Sequence, residues 1–197
     1  MEHLSYTGLV LCGGNSTRMK SDKGLIEQDG TRWAALAGQK LHSLGLPVYY
    51  SINEYQFDQY SPILPAAQLL VDHPALPVKG PLKGILSAAE KFPEQGIFLL
   101  ACDLPDIPEQ LLLRLSEAAG NGPTPRSFCY SYQEQPEPMC CIFQSPTLQK
   151  ILHSAHQGLL EKFSMRYILE HFGVECLPLA ADEYVYFNNY NTPQDLA

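Results

Sequence analysis

Apolar residues recur along this chain in two rhythms, and the switch between them predicts alternating strands and helices. Residues 8–11 form a short apolar run ending at a glycine pair, which reads as a fully buried strand. Residues 32–44 place Trp33, Leu36, Ala37, Leu41 and Leu44 at helical spacing, with Gly45 and Pro47 as the stop. Val48–Ile52 and Leu69–Val71 read as the next strands. Residues 82–92 return to helical spacing through Leu82, Ile85, Leu86 and Ala89, and 97–101 is again a buried strand. Pro108 opens a helix whose inner face is Leu111, Leu112 and Leu115.

The second half is less regular. Ser127–Tyr132 and 139–143 read as strands around a polar turn, and Ser145–His156 and 164–172 as helices, the second capped by Ser164. Residues 174–177 and 184–187 carry strand-like patterns, and Thr192-Pro193 marks the start of a short terminal helix. This order predicts an α/β fold: one Rossmann-like domain over 1–197, with a mostly parallel sheet and helices on both faces. In such sheets ligands bind beyond the carboxyl ends of the strands, so the residues just after each strand matter most. These are Cys12-Gly13-Gly14, Asn53, Asp72 and Asp103.

Charge sharpens this expectation. The chain has 13 Lys and Arg and a formal charge of -8, yet Arg18, Lys20 and Lys23 crowd into six residues after the first strand. Cations on a glycine-bearing loop in an acidic protein point to a small anion, above all phosphates, because glycine lets backbone N–H groups turn toward phosphate oxygens. Neither a Walker A loop nor a dinucleotide fingerprint is present: Lys23 follows Asp22, and Ser16-Thr17-Arg18 stands where a third glycine would be needed. A solvated basic turn is the alternative.

Asp103 is the candidate for a magnesium ligand, since that ion takes one or two carboxylates and completes its shell with phosphates and water. Capping of the following turn is the other role open to it. The acidic balance argues against a nucleic-acid surface. No apolar run reaches the roughly 20 residues of a membrane span, and the opening residues resemble no export signal, so a cytoplasmic protein is expected. Six cysteines without a C-x-x-C pair fit reduced, buried thiols and no structural zinc.

The run from Leu11 to Leu25, L-C-G-G-x-S-x-R-M-x-x-D-K-G-L, resembles the signature of molybdenum cofactor guanylyltransferases. The resemblance continues through Gly80-Pro81-Leu82-Lys83-Gly84, Cys102-Asp103-Leu104-Pro105, Pro138 and the closing Phe187-Asn188-Asn189-Tyr190-Asn191-Thr192-Pro193. It implies transfer of GMP from GTP to the phosphate of molybdenum-bearing molybdopterin, with Mg²⁺ as cofactor. It also implies passing contact with proteins that make or insert that cofactor.

Residue by residue, the resemblance implies nucleotide contacts at Leu11, Cys12, Gly13, Lys23, Asn53, Asp72 and Asp103, with Gly14 amides along the phosphates. Gly80 and Pro81 would shape a helix start near the nucleotide. Arg18 and Lys23 would offset triphosphate charge, Asp103 would hold the metal, and Asn191 matches a second metal position. Lys79, Lys83 and Arg166 are candidates for the acceptor phosphate, each equally a surface cation. Cys12 stands where the family usually has alanine, and Lys20 where it usually has glycine. The rival functions are a cytidylyltransferase on the same cofactor, a sugar-phosphate nucleotidyltransferase, and a nucleotide-binding regulator without catalysis.

Overall fold

β1 (Tyr6–Leu11) is buried along its whole length, and its alternating side chains feed two separate cores. Val10 belongs to one and Leu9 and Leu11 to the other. That is the signature of a strand covered on both faces. The computed structural model describes residues 6–12, 22–121, 124–188 and 190.

The remaining elements follow in chain order. A small hairpin, β2 (Glu27–Gln28) and β3 (Thr31–Arg32), precedes α1 (Trp33–Ser43) and β4 (Val48–Ile52). Next come α2 (Phe57–Tyr60), β5 (Leu69–Val71), α3 (Pro81–Lys91), β6 (Gly96–Ala101) and α4 (Glu109–Gly120). The chain continues through β7 (Ser127–Tyr132), β8 (Gln135–Phe143), α5 (Ser145–His156), α6 (Met165–His171), β9 (Val174–Pro178) and α7 (Ala181–Tyr184).

Seven strands form one sheet in the order β5-β4-β1-β6-β8-β7-β9. β5, β4, β1 and β6 run parallel. β8 is antiparallel to both of its neighbours, and β9 is parallel to β7, so β8 is the one reversed strand of this sheet. Leu41 of α1 and Leu111, Leu112 and Leu115 of α4 pack on one face with Val10, Phe98 and Leu100. Ile85 and Leu86 of α3, Ile151 of α5 and Ile168 of α6 pack on the other with Leu9, Ile97 and Leu99. The expected α/β architecture, mostly parallel with helices on both faces, is what forms.

Two local expectations need correction or placement. Residues 184–187 are not a strand: α7 runs into a 3-10 turn, Val185–Phe187. Glu183 closes the start of α7, its carboxylate accepting from the Ala180 N–H at 2.9 Å, and the Arg114 guanidinium holds the same carboxylate at 2.7 Å. Those bonds favour helix over the alternating pattern. The terminal helix expected from Thr192-Pro193 lies outside the described residues.

Candidate active site

Four parallel strands end at the same edge of the sheet, and the segments leaving them are tied together by hydrogen bonds. The Cys12 N–H donates to the Ser51 carbonyl (3.0 Å), the Asp72 N–H to the Ile52 carbonyl (2.9 Å), and the Cys102 N–H to the Leu11 carbonyl (3.1 Å). β1, β5 and β6 each extend their ladder by one residue into the crevice in this way. Leu11, Cys12, Asn53, Asp72 and Asp103 stand at this edge, as the topology rule requires.

The central feature is an ion pair. Lys23 Nζ lies 2.9 Å from Asp103 Oδ2, with both side chains about one-fifth exposed (18% and 20%). The two residues are 80 positions apart in sequence, so the contact brings Lys23 directly onto the carboxylate after β6.

Asp22 aims Lys23. Its Oδ1 accepts from the Gly24 N–H at 3.0 Å and from Tyr60 Oη at 2.7 Å, and its Oδ2 accepts from Gln56 Nε2. Gln56 also donates to the Cys12 carbonyl (3.1 Å), and its own carbonyl accepts from the Asn53 N–H (2.8 Å). Three segments of the crevice thus share one buried polar knot. Burial, then the neighbouring thiol and carboxylate charges, push the Tyr60 hydroxyl far up, so it stays a donor. Sequence reasoning missed Asp22, Gln56 and Tyr60. The sole local signal was a carboxylate directly before the loop lysine.

The turn carrying Asp103 is fixed from the other side by Lys40 of α1, also missed. Its ammonium donates to the Ile107 carbonyl at 2.7 Å and to the Pro105 carbonyl. Burial lowers the Lys40 pKa, opposed by the charge of Asp106. Cys102 is fully enclosed beside Cys12. Its thiol is held well above the usual range by its hydrogen bond with Cys12 and by burial, so it packs as a neutral side chain.

Asp72 forms the opposite wall. Ser51 Oγ donates to its Oδ1 at 2.9 Å. Burial raises the Asp72 pKa, while the Ser51 bond and the charge of Lys83 pull it down. Gly84 allows this pair to form: a Cβ there would sit 2.1 Å from Ser51 Oγ and 3.2 Å from Asp72 Oδ1. Gly80 precedes α3 with φ 68° and ψ -155°, backbone that a side chain strongly disfavours, and Pro81 follows at the first helical position. The two glycines of Gly80-Pro81-Leu82-Lys83-Gly84 thus have separate steric reasons.

Other expected residues fall differently. Asn53 is at the crevice, but its side-chain oxygen accepts from the Tyr55 N–H at 3.0 Å and so closes a turn. Lys83 donates to the Pro74 carbonyl at 3.2 Å. Gly13, Gly14, Arg18, Lys20 and Asn191 lie outside the described residues. Tyr190, next to Asn191, packs its ring against Trp33 (centroids 5.4 Å apart), and its hydroxyl donates to Asp106. Tyr190 therefore approaches the turn that carries Asp103.

Among the described residues, no three His, Cys, Asp or Glu side chains group to hold a metal. A lone strand-end carboxylate nevertheless fits magnesium, which keeps water and substrate phosphates as its remaining ligands.

Residues 8–172 match the MobA-like NTP transferase domain. The chain belongs to this family. It is a nucleotidyltransferase. It is 29% identical to a probable molybdenum cofactor guanylyltransferase of Nostoc sp., over 98% of this chain and 89% of the relative. It is 27% identical to the molybdenum cofactor guanylyltransferase of Haemophilus influenzae, over 98% and 96%. Among solved structures, molybdopterin-guanine dinucleotide biosynthesis protein A of Archaeoglobus fulgidus superposes with a TM-score of 0.75, at 21% identity over 96% of this chain and 94% of that one. That likeness is one of fold. No helix among the described residues is long and apolar enough to cross a membrane.

Proposed function

We propose that this enzyme transfers GMP from GTP to the terminal phosphate of molybdenum-bearing molybdopterin, releasing pyrophosphate. The names of its curated relatives support the substrates. The observation that carries the reading is the Lys23–Asp103 pair at the carboxyl edge of the parallel strands.

A phosphate oxygen of the acceptor attacks the α-phosphorus, and pyrophosphate leaves in line. The nucleophile is already an anion, so the protein's task is alignment and charge neutralisation. Without nucleotide, Lys23 is neutralised by Asp103. A bound triphosphate competes for the ammonium, and that exchange frees the Asp103 carboxylate. Asp103 would hold Mg²⁺, which when bound offsets charge developing on the phosphates. Arg18 would add a second cation and Asn191 a second metal contact. Asp72 would accept from the N1–H and amino group of guanine, a donor pair that adenine lacks. Its partial burial makes a mismatched base costly, because the carboxylate then keeps the Ser51 hydroxyl but loses the two donors of the base.

The test is pyrophosphate release by purified protein given GTP, Mg²⁺ and molybdenum-bearing molybdopterin. Asp103→Ala should lower turnover by roughly 10²-fold or more while its circular dichroism stays that of the parent. Near-normal turnover by a folded Asp103→Ala variant would remove Asp103 from the chemistry.

A further inference from the structure

Beyond the nucleotide crevice, a cleft of about 580 Å³ opens between the start of α3 and the start of α6. Its floor comes from β8, through Pro138 and Met139. β8 runs antiparallel to β6 with Leu100 opposite Cys140. Continuing that register brings Met139 and Pro138 beside Ala101 and Cys102, the residues that lead into Asp103. The cleft therefore adjoins Asp103 on the side of the sheet away from β4 and β5. Gly80 and Pro81, at the N-terminal end of α3, form the wall between the two spaces.

The lining has two chemistries. Phe163, Met139 and Met165 supply a ring and two thioethers, soft surfaces suited to a flat heteroaromatic body. Lys79 and Arg166 face the same space from opposite walls, both exposed, and among the described residues no carboxylate is part of the lining. Glu137 stands just outside it, its pKa raised by burial and pulled back in part by a hydrogen bond from Tyr184 and by the charge of Arg166. An apolar body with cations at its rim selects a planar organic molecule carrying a phosphate. By contrast Lys83 spends its ammonium on the Pro74 carbonyl.

We infer that this cleft holds the acceptor, with its fused ring against Phe163, Met139 and Met165 and its phosphate between Lys79 and Arg166. The inference rests on the acceptor being a pterin phosphate, as proposed above. It adds the residues that recognise it. The arrangement puts the acceptor phosphate on the Asp103 side of the Gly80-Pro81 wall and the nucleotide base on the Asp72 side, so the two substrates meet at the Lys23–Asp103 pair.

The experiment uses the full chain with Lys79→Ala, Arg166→Ala and Phe163→Leu, the last chosen because Phe163 also packs against the core. Two readouts are taken: KM for acceptor and for GTP in the transfer reaction, and direct binding of 6-hydroxymethylpterin phosphate followed by the pterin's own fluorescence. Loss of one charged phosphate contact should raise the acceptor KM and weaken the probe by about 10-fold or more, with the GTP KM unchanged. Unchanged acceptor KM and probe affinity in both cation variants would overturn the inference. So would a parallel rise in the GTP KM, or a parent that does not bind the probe. A parent that binds the probe through Lys79 and Arg166 yet transfers no GMP would uphold the cleft and sink the proposed reaction instead.

Discussion

Asp22→Ala should be among the most damaging single substitutions near the site, although Asp22 has no part in binding substrate. The carboxylate accepts from the Gly24 N–H, Tyr60 Oη and Gln56 Nε2. Tyr60 is fully buried and Gln56 nearly so (0% and 6% exposed). A hydrogen bond to a charged acceptor contributes about 1.5–3 kcal/mol, and a buried donor stripped of its partner costs about 1–3 kcal/mol. Gln56 keeps its bond to the Cys12 carbonyl, whereas Tyr60 Oη loses its bond to Asp22 Oδ1. The expected loss is about 3–5 kcal/mol out of the 5–15 kcal/mol typical of a domain. For a chain of this size that lowers Tm by roughly 6–20 °C.

Two companion variants grade the effect. Tyr60→Phe removes one bond and leaves Asp22 two donors, so it should cost about 1–2 kcal/mol. Asp22→Asn keeps one oxygen but turns an amide donor toward either Gln56 or the Gly24–Tyr60 pair, and should fall between them. Urea unfolding by circular dichroism gives all three values. An Asp22→Ala loss below about 1 kcal/mol, or one smaller than that of Tyr60→Phe, would refute the view that Asp22 anchors the loop.

Lys23→Ala should leave the fold intact, because a partly exposed ion pair contributes at most about 1 kcal/mol. It should weaken GTP binding by about 10-fold or more and GMP binding much less, as equilibrium titration will show; equal losses would take Lys23 off the phosphates. Asp72→Asn addresses pH. Folding raises the Asp72 pKa, chiefly through burial, so the folded state holds its proton more tightly than the unfolded chain, whose value is near ~3.9. Its ionisation therefore costs stability as pH rises from that ordinary value through the raised one, and the cost is full above both. Asp72→Asn should raise Tm at pH 7, with the gain fading below about pH 4. A loss at pH 7, or a gain unchanged at pH 3, would contradict the assignment.

The sequence pattern was most legible where burial imposed it. Val48–Ile52, Leu69–Val71, Ser127–Tyr132 and Ser145–His156 form with the bounds their spacing predicts. β8 was only half legible. Pro136 and Pro138 argue against a strand, yet β8 begins at Gln135. The reason lies in the register: β6 pairs with β8 only from Cys140 to Phe143, so the proline-bearing half carries no ladder bond to β6 and needs no donor on that side. Residues 184–187 were misread because alternating Tyr-Val-Tyr-Phe mimics a half-buried strand, while the Glu183 bonds that favour helix reach to Arg114.

At the site, strand-end residues such as Asp72 and Asp103 could be read from topology alone. The Asp22–Gln56–Tyr60 knot and the Lys40 tether could not. Each joins residues more than 30 positions apart, and no local periodicity records such a contact.

The central claim is that the enzyme joins a guanine nucleotide to a pterin phosphate. Its most direct test is competition: purified protein, Mg²⁺ and molybdenum-bearing molybdopterin, with GTP, ATP, CTP and UTP supplied together at equal concentration and the products separated by mass spectrometry. The guanine dinucleotide should be the dominant product, and that dominance should be lost in Asp72→Ala. Formation of the cytosine dinucleotide in its place, or of no dinucleotide at all, would contradict it.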